Sequence, residues 1–335
     1  MKQEKSCAAG ARLGRVGGQA VLEGVMMKSG DRTALAVRDE SGAIRTSVDT
    51  HVSVRKKYKF LNIPLVRGVV NFVETMILSY NTLMQSADML GIDDAAEDSK
   101  FEAWLRSKWG DKFMGVLMGI ATVFGLVIGL GLFMYLPAFV TKLLDSALGG
   151  IGWFRNLIEG VMKIAIFVAY IALCSLMKEM RRTFEYHGAE HKSIACYESG
   201  MELTPANAAK CSRFHPRCGT SFIFVILILS ILVNSLISWE NLVLRAVLKV
   251  LLLPVIVGLG FEFIMYAGKH TNIFTRLLSA PGLWMQRITT REPDESQLEI
   301  AITALKLAMP EEFPEMPAEE DASEDASAES APENA

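Results

Sequence analysis

The chain has 335 residues, 51% of them hydrophobic, a formal net charge of −3 and a mean hydropathy of +0.28. A charge this close to zero provides no global basic field, which excludes nucleic acid as a partner class. The apolar residues are gathered into long blocks, so the composition points to a membrane protein rather than a soluble one.

Charge is unevenly spread. Lys and Arg crowd the first 112 residues, whereas the end from Met309 carries ten acidic residues and no basic one. The cysteines (Cys7, Cys174, Cys196, Cys211 and Cys218) are odd in number and form no disulfide framework. All but Cys174 fall in segments assigned to the reducing cytoplasm. Residues 1–15 lack the apolar stretch of a secretory signal and read as a flexible N-terminus. The first membrane span then acts as its own insertion signal.

Residues 16–63 read as a small β unit. Segments 19–27, 33–38 and 43–54 are β-branched and short, separated by turn-rich residues 29–31 and 39–42. Gly17 and Gly18 precede the first segment and Gly24 interrupts it, a pattern that marks a bulge or a close backbone approach. Glu23 beside Gly24 is either an inward-facing polar group or an exposed strand carboxylate.

Residues 64–112 form an amphipathic helical region. From Pro64 to Leu90, Leu65, Val69, Phe72, Val73, Met76, Ile77, Tyr80, Leu83 and Met84 recur at three- and four-residue spacing. Arg67, Asn71, Glu74 and Asn81 lie off that face, so the helix is too polar to span a bilayer. It is expected to pack on the β unit or lie at the membrane surface. Residues 91–112 are a charged linker into a short amphipathic piece.

Four apolar blocks follow, at about 113–140, 157–177, 220–238 and 243–267, each long enough for a hydrocarbon core of about 30 Å. They define residues 113–280 as a four-span bundle. Arg245, Lys249 and Glu262 lie in the fourth block, and the first two can snorkel to the interface. The fold class expected is a mainly α polytopic membrane protein: four transmembrane helices, a small N-terminal cytoplasmic β unit and amphipathic helices.

Loop charge sets the orientation. The 178–219 loop carries Lys178, Arg181, Arg182, Lys192, Lys210, Arg213 and Arg217, while the 141–156 loop has Lys142 and Arg155 and residues 239–242 have no base. The positive-inside rule places this loop and both termini in the cytoplasm of a plasma-membrane protein. Residues 281–309 hold one more cytoplasmic amphipathic helix, with Pro293 in its first turn, Asp294 and Glu295 at its positive end, and Leu298, Ala301, Ile302 and Leu305 on one face. Residues 310–335 read as a disordered acidic tail.

The chemistry is concentrated in the 178–219 loop. Leu173 to Glu198 contains no Pro or turn cluster, so the second span is expected to continue as one helix through His187, Glu190 and His191. At i, i+3 and i+4 these three share a face, and two such histidines can hold one metal while the carboxylate ligates or takes a proton from bound water. The string H-x-x-E-H also matches the pattern of one class of zinc peptidases. Glu198 is about 10 Å further along the axis, too far for the same ion. His215 and Cys218, in a bent connection held by Pro216 and Gly219, are candidate further ligands, and Glu262 is another; Glu262 reads equally well as an ion pair with Arg181 or Arg182. Arg217 and Arg291 are candidates for orienting substrate or ligands, although positive-inside anchoring also accounts for them. The polar string at residues 289–294 is capping sequence that could fold against the loop.

Residues 17–27 (GGQAVLEGVMM), 186–198 (YHGAEHKSIACYE), 215–222 (HPRCGTSF) and 289–302 together resemble the YqhQ-like family of bacterial membrane proteins. The resemblance runs from about residue 16 to 306 and leaves out the acidic tail. It implies a polytopic inner-membrane protein and a metal-dependent enzyme, with motif residues at Glu23, His187, Glu190, His191, His215, Arg217, Cys218 and Arg291. The expected function is a metal-dependent hydrolase at the cytoplasmic face. Its cofactor is a divalent transition metal, zinc by ligand type; its metal ligands are His187, His191, His215 and Cys218, and its catalytic base is Glu190. The expected partners are membrane lipid and a substrate or protein partner. The alternative is a non-enzymatic scaffold or assembly factor whose metal clamps the loop; a metal-ion transporter fits less well.

Overall fold

The computed structural model describes residues 12–91, 116–117, 119–152, 154–236, 242–267 and 272–315. The expected flexible residues 1–11, the linker after Gly91, the start of the first span and the tail from residue 316 lie outside the described residues.

The β unit is a four-stranded antiparallel meander of β1 (Val16–Val21), β2 (Gly24–Ser29), β3 (Arg32–Arg38) and β4 (Ile44–Thr50). Residues 19–27 are therefore not one strand interrupted at Gly24. Val21 pairs with Gly24 across a two-residue turn, and Glu23 holds it with a φ of 48°, a left-handed conformation uncommon outside glycine. The turn at Gly30 and Asp31 lies where the sequence signals it, with Gly30 at φ 60°.

Alternation along the strands gives the sheet two apolar faces. Val16, Val25, Met27, Ala34 and Ala36 face one core; Val21, Met26, Leu35 and Val37 face another. The second core is closed by α1 (Val66–Met89) through Leu78 and Met89. Of the two expected placements for this helix, packing on the sheet is present.

Among the described residues, three helices are long and apolar enough to cross a membrane: α2 (Gly119–Ala147), α3 (Phe154–Cys174) and the Val250–Ala267 part of α6 (Leu242–Ala267). Between α3 and α6 lies α5 (Gly219–Ser235), apolar but 17 residues long, about 25 Å at 1.5 Å per residue. A one-turn π segment, Gly131–Tyr135, interrupts α2 just before Pro137, whose missing N–H breaks the regular ladder there. Packing between α3 and α5 encloses a cavity of about 30 Å³ lined by Asn156, Glu159, Lys163, Ser230 and Asn234, room for about one or two waters. Glu159 and Lys163 pair there at 2.7 Å.

The second span does not run on to Glu198. α3 stops at Cys174, Met177 is extended, and a new helix, α4 (Lys178–Glu198), begins. The break lies where the sequence passes from the apolar Ile171-Ala172-Leu173 to Lys178 and Glu179, and it is held by the Arg291 guanidinium donating to the Ser175 carbonyl at 3.2 Å.

The helix expected within residues 281–309 is present, and a further helix precedes it. α7 (Ile273–Thr289) carries Pro281 inside it, and α8 (Glu295–Ala308) starts after Asp294, whose side chain accepts from the Gln297 N–H in a capping box. Pro293 precedes the cap rather than occupying the first turn. α8 is also no surface helix: Leu298, Ile300, Ala301, Ala304, Leu305 and Leu307 are all buried, because the sheet covers one side and α4 another. Beyond it, Glu312 accepts hydrogen bonds from Arg15 at 2.5 Å and the Tyr197 hydroxyl at 2.8 Å, so the first residues of the described tail are fixed.

The joint between α4 and the 290–294 connection is tight. A Cβ on Gly188 would overlap the Arg291 carbonyl oxygen, and the Arg291 N–H donates to the Phe184 carbonyl at 2.8 Å. Gly188→Ala is therefore expected to destabilise the protein by about 1–3 kcal/mol, as overpacked sites do. Gly17→Ala, where a Cβ meets nothing within 4 Å, should leave the melting temperature unchanged in the same thermal-unfolding experiment.

Candidate metal centre

Helical spacing puts His187 and His191 one above the other on α4, their rings 4.4 Å apart between centroids. Cys218 arrives from the other side as the N-cap residue of α5. Its Sγ lies 3.3 Å from His187 Nε2, and one ligand atom from each of His187, His191 and Cys218 falls within 4.8 Å of the other two. This buried His-His-Cys group could hold a metal ion.

Backbone carbonyls fix both imidazoles. His187 Nδ1 donates to the Thr289 carbonyl at 2.8 Å, and His191 Nδ1 to the Arg213 carbonyl at 2.6 Å. A carbonyl only accepts, so Nδ1 bears the proton in each ring, leaving the Nε2 lone pair as the ligand atom when the ring is neutral. His191 Nε2 is buried and has no hydrogen-bond partner among the described residues. A buried nitrogen with an available lone pair beside a second imidazole and a thiol is suited to a metal, so the residues present fit one.

The charges respond to this crowding. Burial pushes the Cys218 thiol up, but His187 and His191 beside it outweigh that and hold it well below its ordinary value. Burial pulls His187 down, and the Cys218 sulfur raises it above the usual imidazole range. Glu190 is 5% exposed, and burial raises its carboxyl despite the opposing pull of His187 and His191. Its side chain lies against β1: a Cβ on Gly18 would come within 2.8 Å of the Glu190 Cγ. The close approach marked by that glycine is thus the approach of the strand to Glu190.

His215 stands next to the trio, its ring 5.6 Å from that of His191. Its Nε2 faces the Glu198 carboxylate at 3.5 Å and the Arg217 guanidinium at 3.3 Å. Arg217 also pairs directly with Glu198, which accepts the Gly14 N–H at 2.8 Å. Burial raises the Glu198 carboxyl, but its bonds from His215 and Gly14 and the Arg217 charge bring it below the ordinary range. Glu198 is distant from the trio along α4, as the helical rise requires, and it enters through the returning loop. That loop begins with a single turn, Pro205–Ala208, capped by Thr204.

Other expected residues lie further out. Glu23 pairs with Arg182 and accepts from the Tyr186 hydroxyl at 3.3 Å, joining the β1–β2 turn to α4. Arg291 holds the α3–α4 break. Glu262 is not near the trio and does not pair with Arg181 or Arg182. It binds Arg67 of α1 through two contacts of 2.6 and 2.5 Å, because Gly68 and Gly258 let α1 and α6 touch just there.

Gln286 has no forecast role, yet it is fully buried on α7 and clamps the ligand-bearing loop. Its Oε1 accepts the His215 N–H at 2.8 Å, and its Nε2 donates to the His215 carbonyl at 2.7 Å. A lone glutamine on an amphipathic helix gives no sequence signal for this. Gln286→Leu strands two buried backbone groups and is expected to cost about 1–3 kcal/mol for each, read as a lower denaturation midpoint.

Residues 63–311 match the family described as "Protein of unknown function (DUF1385)". The chain is also 32% identical over 291 residues, 85% of its length and 89% of the relative's, to the uncharacterized protein YqhQ of Bacillus subtilis (strain 168). No solved structure matches. The family match covers most of the chain and takes in every one of the His, Cys and Glu residues of the centre, and on that basis the chain belongs to the DUF1385 family.

Proposed function

We propose that the chain is an integral membrane enzyme, a metal-dependent hydrolase whose site opens to the cytoplasm, with zinc as the ion. The observation that carries this is the tautomer lock. Two imidazoles are held through Nδ1 so that both Nε2 atoms face the Cys218 thiolate. Two nitrogens and a soft sulfur favour zinc, and three protein ligands leave a fourth position for water, the pattern of catalytic rather than structural sites. When bound, the ion supplies a Lewis acid and a water acidic enough to ionise near neutral pH.

The protein's own contribution is then Glu190. Its carboxylate lies among the ligands with a raised pKa, so it accepts a proton from an attacking water and returns it to a leaving group. Gly18 and β1 close the site above it and exclude bulk water. His215, held by Glu198 and Arg217, is the nearest additional imidazole and is proposed to contact the substrate. Arg217, Glu23 and Arg291 hold the surrounding segments in register.

In this reading α2, α3, α5 and α6 all cross the plasma membrane, with both termini in the cytoplasm. The basic residues of the 178–219 loop and the paucity of bases in the 141–156 loop support that orientation. Cysteine labelling from outside intact cells should reach a probe at Ser146 and miss one at Lys210. External labelling of Lys210→Cys would overturn the cytoplasmic site.

Purified protein is expected to carry about one zinc per chain by elemental analysis. His187→Ala and His191→Ala should each lose most of it. Glu190→Gln should keep the metal and lose hydrolysis of ester, amide or phosphodiester model substrates at least about a hundredfold. Protein free of transition metal and insensitive to chelators would sink the proposal. A second reading is favoured by one observation: the trio ties α4 to the first residue before α5, as a structural clamp would. In that case Glu190→Gln leaves function intact, and metal removal lowers the melting temperature instead.

A further inference from the structure

α1 has two apolar faces, and the sheet covers one of them. Leu78, Thr82, Ser86 and Met89 turn toward the sheet, and Gln85 donates to Ser47 of β4 at 2.9 Å. At 100° per residue, Val73, Met76, Ile77, Tyr80, Leu83 and Met84 point roughly 170° away from that side. Each of these six is between 40% and 64% exposed. Such a stripe is about 16 Å long and has no occupant among the described residues.

What surrounds the stripe identifies its occupant. Immediately before α1, Arg55, Lys56, Lys57 and Lys59 are interleaved with Tyr58 and Phe60, the aromatics being 45% and 69% exposed. No acidic residue occurs between Thr50 and Val73. Lys56 pairs with Asp31, while Lys57 lies over the Tyr58 ring at 5.5 Å and Lys59 is exposed. Basic residues alternating with aromatics beside an apolar helical stripe suit the headgroup region of an anionic bilayer. α1 is also continuous with the spanning helices. Gly68 packs on Gly258 and Arg67 pairs with Glu262, both within the Val250–Ala267 segment. α1 therefore meets the half of that segment that leads toward Ala267, and the stripe begins one turn beyond this contact.

We propose that α1 is an in-plane interfacial helix that lies on the inner leaflet with its outer face among the acyl chains, while residues 55–60 bind anionic lipid headgroups. The sheet then rides on the opposite face of α1, and the candidate metal centre is held at a fixed height above the membrane. This rests on the reading that α6 spans the membrane with its C-terminal end in the cytoplasm.

The test uses the full chain reconstituted in vesicles of phosphatidylcholine with one third phosphatidylglycerol. The photoreactive residue p-benzoylphenylalanine is placed singly at Tyr80, at Leu251 of α6 and at Glu40 in the β3–β4 turn. Mass spectrometry then identifies the adducts. Lipid adducts at positions 80 and 251 and none at 40 are expected. At position 80 the ratio of phosphatidylglycerol to phosphatidylcholine adducts should exceed the bulk ratio about fivefold, the worth of about one basic residue near an anionic surface. Lys57→Gln with Lys59→Gln should return that ratio to the bulk value and leave position 251 unchanged. Lipid at 251 with an adduct at 80 to the chain itself, a second copy or another protein would overturn the inference alone. No lipid at 251 would overturn the spanning reading beneath it.

Discussion

Two backbone carbonyls, those of Thr289 and Arg213, determine what the centre of this protein can do. A histidine pair on a helix is common and by itself says little, since either ring can rotate and either nitrogen can bear the proton. Here each ring is pinned from behind, by a carbonyl contributed from a different segment. The Nε2 edge is thus presented forward before any ligand arrives, so little ordering entropy is left to be lost on binding. Much of the surrounding structure serves those two contacts. Thr289 is placed by the end of α7 and its tight joint with Gly188, and Arg213 by the loop that Gln286 clamps at His215.

The same requirement accounts for the break between α3 and α4. A continuous helix would have tied the orientation of the histidine face to the rotation of a hydrophobic rod in the bundle. Ending α3 at Cys174 and restarting at Lys178 lets α4 choose its own direction, against the sheet on one side and α8 on another. Arg291 connects these roles: its backbone N–H joins the 290–294 connection to α4, and its side chain completes the carbonyl at the break. Such a residue is tied to packing as much as to chemistry.

Local patterns in the sequence were sufficient for much of this. Period-2 alternation and the turn at Gly30 give the sheet, the apolar blocks give the long helices, and the i, i+4 spacing brings His187 beside His191. What stayed illegible depends on contacts between distant segments. The turn at Leu22 and Glu23 has no turn residue to announce it, because Glu23 takes a left-handed conformation stabilised through Arg182 and Tyr186. The helix before α8 was hidden because Pro281, ordinarily a helix breaker, sits within α7. Glu262 and Arg67 are 195 residues apart and meet through glycine contacts that spacing cannot reveal. The pair Glu159 and Lys163, on the apolar helix α3, was obscured by the hydrophobicity of its neighbours.

The order in which the chain emerges during synthesis gives the placement of α8 a further meaning. The sheet is complete by residue 50, yet the helix that covers its α4-facing core spans residues 295–308, and Glu312 locks Arg15 and Tyr197 later still. Every apolar block is synthesised between those events. The N-terminal sheet consequently waits with one hydrophobic face open until nearly the whole polypeptide has left the ribosome, a long-range closure of the kind that folds slowly and invites aggregation. Closure of the core between the sheet, α4 and α8 therefore comes after synthesis of all the apolar blocks. The centre built on α4 can acquire its final shape only in a chain whose bundle is already in place.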